Sequence, residues 1–179
     1  MKFSIILCTD NNYAIGYKNS LPWKIKDELK YFNKITTINK NSMLIMGRKT
    51  ADSISNILKD RVMAVISTQK EIKNINYPII FNDIDSCFNF CLNLHTDIFV
   101  IGGNELIKNI LQSKYSENID NIYLTKINYQ YEADTYLDKN IQLFMNNCDI
   151  ITSTNKKCYC EKAQRELDLE FLILKLKYL

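Results

Sequence analysis

Three short stretches of the 179-residue chain carry residue types that can do chemistry: SLPWKIKDELKYF at 20–32, MGRKT at 46–50 and IGGNE at 101–105. In the first, Pro22 precedes a run free of Gly and Pro, so the pattern predicts a helix starting near Trp23 or Lys24. Ile25, Leu29, Phe32 and Ile35 recur at helical spacing and are expected to face the core, while Lys24, Lys26, Asp27 and Lys30 belong to the wet side. Glu28 lies three residues after Ile25 and four before Phe32, so its carboxylate projects along the apolar row. It could bend outward and pair with Lys24 one turn earlier. Alternatively it points into a cleft, where desolvation raises its pKa and a cationic or N–H-rich ligand is its partner. Taken alone, the helix favours the ion pair.

MGRKT reads as a strand end followed by a glycine, two cations and a helix start. Backbone N–H groups and the helix dipole there suit a phosphate. Arg48 and Lys49 are mildly unfavourable at a helix N-terminus, and that mismatch points to an anionic ligand. In IGGNE, Gly102 and Gly103 open another helix and would let the backbone approach a pyrophosphate closely. Neither stretch is a G-x-G-x-x-G fingerprint or a G-x-x-x-x-G-K-[ST] loop, so neither identifies a nucleotide site by itself.

The elements that must hold these residues alternate. FSIILCT, SMLIMG, RVMAVIS, PIIF, DIFVIGG and NIYLTKI read as buried strands, separated by helical patterns over Ile25–Ile35, Lys49–Ile57, about 84–94 and about 104–114. Continuous apolar strands between helices imply a mostly parallel sheet covered on both faces. DIITS, KKCYC and LEFLILKLKY then follow without intervening helices and are expected to close one edge as antiparallel strands. In such sheets ligands sit beyond the carboxyl ends of the strands. Gly47, Gly102 and Gly103 stand there, and Gly16 lies in the loop after the first strand.

Length and a hydrophobic share of 46% fit one domain spanning residues 1–179. A formal charge of +3, with Lys and Arg spread along the chain, favours small anionic ligands over nucleic acid. No stretch reads as a signal peptide or a membrane span, so a soluble, intracellular, cytoplasmic protein is expected. Cys8, Cys87, Cys91, Cys148, Cys158 and Cys160 read as packed free thiols. With His95 the only histidine and no paired C-x-x-C, no metal site is expected.

In order and spacing, NNYAIGYKNSLPW, the ELKYF helix, LIMGRKT, RVMAVIST, FVIGGNE and IYLTKI closely resemble dihydrofolate reductase, from Phe3 to the terminal strands. The resemblance implies an α/β fold with a mainly parallel eight-stranded sheet, antiparallel C-terminal edge strands and helices on both faces. It also implies NADPH as cofactor, dihydrofolate as substrate, and a monomer unless the chain is part of a fusion with thymidylate synthase. By the same resemblance Glu28 holds the pterin's 2-amino group and N3, Thr125 hydrogen-bonds to that carboxylate, and Trp23 helps hold an ordered water. Ile6 and Ile101 would offer backbone carbonyls, and Cys8 would border pterin and nicotinamide. Leu21 would belong to a mobile loop over the nicotinamide, flanked on the cofactor side by Ile15, Gly16 and Ser20. Phe32 and Leu58 would clasp the aminobenzoyl ring, Asn33 and Asn56 approach the glutamyl tail, and Arg61 grip its α-carboxylate. Gly47, Arg48, Lys49 and Thr50 are matched to the 2′-phosphate and pyrophosphate, Ser67 and Thr68 to the adenosine phosphate end. Gly102, Gly103, Asn104 and Glu105 are matched to the pyrophosphate, the glycine pair through a cis peptide, and Leu106 to the cofactor site.

Ala51, Ile107 and Leu137 depart from the family pattern, where Trp, an aromatic near the nicotinamide and Phe are usual, and about three extra residues precede MLIMG. Two other functions compete: a reductase of the same fold acting on a ribosylamino-pyrimidine, and a catalytically silent ligand- or RNA-binding domain. Glu28 and Arg61 weigh against the first, and the set of Trp23, Glu28, Thr125 and the glycine pair against the second.

Overall fold

A computed structural model describes residues 1–54, 58–69, 71–72 and 78–177. Its strands are β1 (Phe3–Asp10), β2 (Ala14–Gly16), β3 (Ser42–Gly47), β4 (Arg61–Ile66), β5 (Ile79–Phe81), β6 (Ile98–Val100), β7 (Ile119–Ile127), β8 (Thr135–Tyr136), β9 (Cys148–Cys160) and β10 (Arg165–Leu176). Its α-helices are α1 (Lys26–Thr36), α2 (Arg48–Ser53), α3 (Ile84–Cys91), α4 (Asn104–Leu111) and α5 (Lys139–Asn146). One eight-stranded sheet runs β5-β4-β3-β6-β1-β7-β10-β9, and β2 pairs with β8 in a small second sheet. The pairings from β5 to β7 are parallel, and those of β10 with β7 and β9 are antiparallel. The mainly parallel sheet with an antiparallel C-terminal edge is therefore as the sequence predicts.

Strand alternation divides the core. Along β3, Met43 and Ile45 join the side chains of α3, α4 and α5, while Leu44 and Met46 join those of α1 and α2. Both faces are thus apolar, which is why the strand reads as an unbroken hydrophobic run. A third cluster, built around Trp23, Ile25, Cys158, Cys160, Leu167 and Leu169, lies under the start of α1.

Several boundaries differ from the sequence reading. The helix predicted from Trp23 or Lys24 begins at Lys26, because Ile25 is extended and bridges Cys160 of β9, and Lys24 C=O accepts the Glu161 N–H. Leu29, expected in the core, is 53% exposed, while Ile35 is buried. DIITS and KKCYC belong to one strand, β9, and neither α5 nor the β2/β8 sheet was anticipated. The helix predicted over Lys49–Ile57 is described as far as Ser53; residues 55–57, with Asn56, lie outside the described residues.

All six cysteines are free. Cys87 and Cys91 sit one turn apart inside α3, and Cys158 and Cys160 share the inward face of β9. No described helix is long and apolar enough to cross a membrane.

Candidate active site at the carboxyl ends of the strands

Glu28 enters the cleft from the first turn of α1, beside the ends of β1 and β7. Lys24 does not pair with it. The ammonium of Lys24 lies 2.6 Å from Glu161 instead, and no described ion pair involves Glu28. Burial pushes the Glu28 carboxyl up from 4.5 to about 7, against a smaller lowering by a hydrogen bond from the Cys8 thiol. The helix N-terminus would favour the anion, so desolvation outweighs the dipole here. Burial, and after it the nearby Glu28 charge, push the Cys8 thiol well above its ordinary range.

Across the β1–β7 ladder Cys8 is the register partner of Thr125, which is 2% exposed. The Thr125 side chain is close by in the fold, yet no described hydrogen bond joins it to the carboxylate, whose donor in this structure is Cys8. Trp23 is buried, and its indole N–H has no protein partner. A buried donor left unpaired costs about 1–3 kcal/mol, which makes it a natural ligand or water contact. Ile6 is buried at the neighbouring position of β1 and Ile101 follows β6, its N–H bonded to Ile45 C=O at 2.9 Å.

Arg61 starts β4 and turns back onto α1. Its Nη1 donates to Asn33 Oδ1 at 2.9 Å and Thr36 Oγ1 at 2.8 Å, and its Nε to Lys59 C=O at 3.0 Å. The guanidinium carbon stands 5.9 Å from the centre of the Phe32 ring. Leu58 packs in the same cluster as Phe32. Phe32 and Asn33 of α1 and Leu58 and Arg61, just before and at the start of β4, two stretches about 25 residues apart, therefore form one wall. Every acceptor around the guanidinium is neutral, and no described carboxylate reaches salt-bridge distance.

On the other side of the cleft a cis peptide joins Gly102 and Gly103, and Gly47 N–H donates to Gly102 C=O at 2.8 Å. Thr50 closes the back of this cradle: a Cβ added at Gly103 would stand 3.1 Å from Thr50 Oγ1. Neither α2 nor α4 has a side-chain cap, so their first N–H groups remain for an anion. Arg48 pairs with Asp52 at 2.7 Å, whereas Lys49 is exposed. Asn104 Oδ1 accepts the Asp138 N–H at 2.8 Å, so this side chain anchors the approach to α5. Glu105 is exposed in the first turn of α4, and Leu106 is buried in the core.

Ile15 and Gly16 lie on β2 against β8, and Ser20 closes a turn with Tyr17 through two backbone bonds. Lys18 and Asn19 both have positive φ, 49° and 59°, as a tight two-residue hairpin turn requires. Leu21 follows, half exposed, with its C=O accepting from Lys162 Nζ. Of the departing residues, Ala51, Ile107 and Leu137 are all buried. Ile107 is fully enclosed under α4, so it packs the core and does not line the cleft.

Ser67 and Thr68 follow β4, where an open groove of about 610 Å³ begins. Ile66, Asn82 and Asn109 help line it at the ends of β4, β5 and α4. Asn82 and Asn109 escaped sequence reading because single asparagines in loops and helix faces carry no pattern.

Gly102 has φ +124°, a conformation L side chains rarely adopt, and an added Cβ would meet Thr50 Oγ1 at 3.3 Å. Gly102→Ala is accordingly expected to cost about 1–3 kcal/mol of stability. An unchanged denaturant midpoint would contradict that.

These features define an α/β protein with a carboxylate that has no ion-pair partner among the described residues and a glycine cradle, both at the carboxyl ends of the strands. Comparison with known proteins specifies it further: the family model described as Dihydrofolate reductase matches residues 2–172. A dihydrofolate reductase of Haemophilus influenzae is 33% identical, with 97% of this chain and 98% of that protein covered. One from Buchnera aphidicola is 38% identical over 76% of this chain and 77% of that protein. A bifunctional dihydrofolate reductase-thymidylate synthase of Paramecium tetraurelia is 38% identical over 78% of this chain, which spans only 29% of that protein. The chain belongs to the dihydrofolate reductase family of enzymes.

Proposed function

We propose that this chain reduces 7,8-dihydrofolate to 5,6,7,8-tetrahydrofolate with NADPH, supporting one-carbon metabolism and thymidylate synthesis. The observation that carries the reading is the Glu28 carboxyl: half-buried, without an ion-pair partner, and held at about 7. A ligand presenting two adjacent N–H groups, as the pterin 2-amino group and N3 do, favours the ionised form and supplies the missing partner. NADPH, when bound, supplies the hydride from nicotinamide C4 to pterin C6.

The remaining roles belong to this chain's own side chains. Glu28 orients the pterin and favours protonation at N5, in apolar surroundings that leave its field undiluted by water. Thr125 and Cys8 border the carboxylate, and the unpartnered Trp23 indole N–H holds an ordered water near the pterin. Ile6 and Ile101 carbonyls face the reacting rings, and Leu21 closes over them with Ile15, Gly16 and Ser20. The wall of Phe32, Asn33, Leu58 and Arg61 takes the aminobenzoyl ring and the tail carboxylate; Asn56 is assigned to the same tail.

The donor set fits NADPH's anionic parts. Gly47, Lys49, Thr50 and the Gly102–Leu106 segment surround the pyrophosphate, with Arg48 turned from Asp52 towards the 2′-phosphate. Ser67, Thr68 and the groove beside them take the adenosine end. Reading residues 1–179 as one cytoplasmic reductase domain, monomeric unless fused to thymidylate synthase, belongs to the same proposal. Loss of NADPH absorbance on adding dihydrofolate tests it; no loss at saturating enzyme would overturn it.

NADPH should be preferred to NADH, and neutralising Arg48 and Lys49 together should shrink the preference by ~10–100-fold, the worth of one or two charge-assisted bonds. Equal use of both cofactors by the unmodified protein would refute the assignment of these cations.

A further inference from the structure

Asp10 ends β1 as a buried carboxylate, 3% exposed, and spends both oxygens on backbone. Its Oδ1 accepts the N–H of Asn12 at 2.8 Å and of Ala14 at 2.9 Å, and its Oδ2 accepts the N–H of Tyr131 at 2.8 Å. The first two donors lie on the segment running into β2, the third on the segment leaving β7. A carboxylate can serve both segments because both of its oxygens accept; an amide offers only one. Around it, Asn11 N–H donates to Tyr129 C=O at 3.0 Å and Asn11 Nδ2 to Asn128 Oδ1 at 2.9 Å. The two segments are therefore fastened through Asp10, with a weaker rim of exposed contacts.

The fastening leads to Trp23. The Tyr131 ring lies 5.7 Å from the indole, the Tyr129 ring stands edge-on to Tyr131 at 4.7 Å, and the Tyr131 hydroxyl is 3.1 Å from Cys160 Sγ. Fixing the Tyr131 backbone fixes where this ring starts, and the ring is one wall of the indole's site. We propose that Asp10 is a positioning residue for Trp23: it locks the 11–14 segment to the 129–131 segment, and the Tyr131 ring passes that registration to the indole. The consequence for catalysis rests on the role proposed above for Trp23; the registration itself does not.

Asp10→Asn keeps the side chain's size but leaves a single acceptor oxygen, so one segment loses its bond. Trp23 is the only tryptophan, which makes intrinsic fluorescence a reporter of this one site. The variant is expected to show red-shifted emission, several-fold greater acrylamide quenching, and single-turnover hydride transfer slowed about 10- to 100-fold with little change in KM for dihydrofolate. Ile110→Val, in the core under α4, supplies a control that loses stability without touching the junction. Should Asp10→Asn not fold, Asn11→Ala removes only the rim bond to Asn128 and is expected to move emission and quenching the same way by less. The proposal is overturned if Asp10→Asn matches Ile110→Val in emission, quenching and hydride transfer, or if it does not fold and Asn11→Ala leaves emission unchanged. If the unmodified protein fails to oxidise NADPH, the reductase reading falls, and the fluorescence arm still decides the role of Asp10.

Discussion

Glu28→Gln is expected to slow single-turnover hydride transfer by ~10²–10⁴-fold at neutral pH, the range of a positioned acid–base group, while NADPH binding survives. The substitution keeps size and helix propensity and removes only the charge proposed above to favour a protonated pterin. Protonation at N5 can come from solvent at low pH, so the variant should recover part of its rate as pH falls. Stability should move the other way. In the folded chain the Glu28 carboxyl sits at about 7 against an ordinary 4.5. Its contribution to stability is therefore fully present below about 4.5 and is lost as pH rises through about 7. Above that range, removing the charge should raise stability by on the order of 1–3 kcal/mol, a figure discounted for the cleft's access to water. Below it, the two proteins should melt alike. An ion pair with Lys24 would give the opposite pattern, a small stability loss and near-normal turnover, and Lys24 is engaged with Glu161. Normal hydride transfer in Glu28→Gln would end the assignment of this carboxylate.

The parts of this architecture legible in the sequence are those where one side-chain rule decides. β1, β3, β4, β6 and β7 are buried on both faces, so they read as apolar runs, and the helices between them force the parallel order. The cleft followed from that order, because the glycines mark strand ends. What stayed hidden depends on contacts between distant residues. The start of α1 is set by Ile25 bridging Cys160, a partner more than a hundred residues away in a strand that itself read as two pieces. β2 and β8 have three and two residues, too few for any period to emerge. α5 carries Asp138 as its N-cap, with Ile141 and Met145 inward, but its Asn- and Gln-rich outer face weakened the pattern. In the site, Glu28 stood out because charge broke an apolar row. Nothing in the sequence hinted at the pairing of Arg48 with Asp52 or at the three backbone bonds of Asp10; both sets of contacts exist only once the chain has folded.

Arg61→Leu should raise the KM for dihydrofolate roughly 10- to 100-fold, the equivalent of one or two lost charge-assisted hydrogen bonds, with kcat nearly unchanged. The guanidinium is partly buried, and burial lowers its pKa, yet it stays charged because an arginine cannot be discharged at accessible pH. Its hydrogen-bond and ring partners, Lys59 C=O, Asn33 Oδ1, Thr36 Oγ1 and the Phe32 face, are all neutral and aim the fork, while the Asp60 carboxylate acts on it only as a Coulombic influence smaller than that of burial and forms no salt bridge with it. A carboxylate on the ligand is the partner such a site lacks, and a bidentate pair would suit the fork. The contact would be far from the reacting carbon and equal in ground and transition states, so its loss should appear as uniform binding. Leucine also strands Asn33 Oδ1 and Thr36 Oγ1 without a donor, so a stability loss of about 1 kcal/mol is expected alongside. A dihydropterin without the glutamyl tail separates the two effects. If Arg61 grips the tail, wild type and Arg61→Leu should reduce that truncated substrate equally well, whereas a mere buttress for α1 would slow both substrates alike. Arg61→Lys, which keeps the charge but loses the fork and the bonds to α1, should fall between wild type and leucine for the full substrate. An unchanged KM for dihydrofolate in Arg61→Leu would reduce the residue to a strut between β4 and α1.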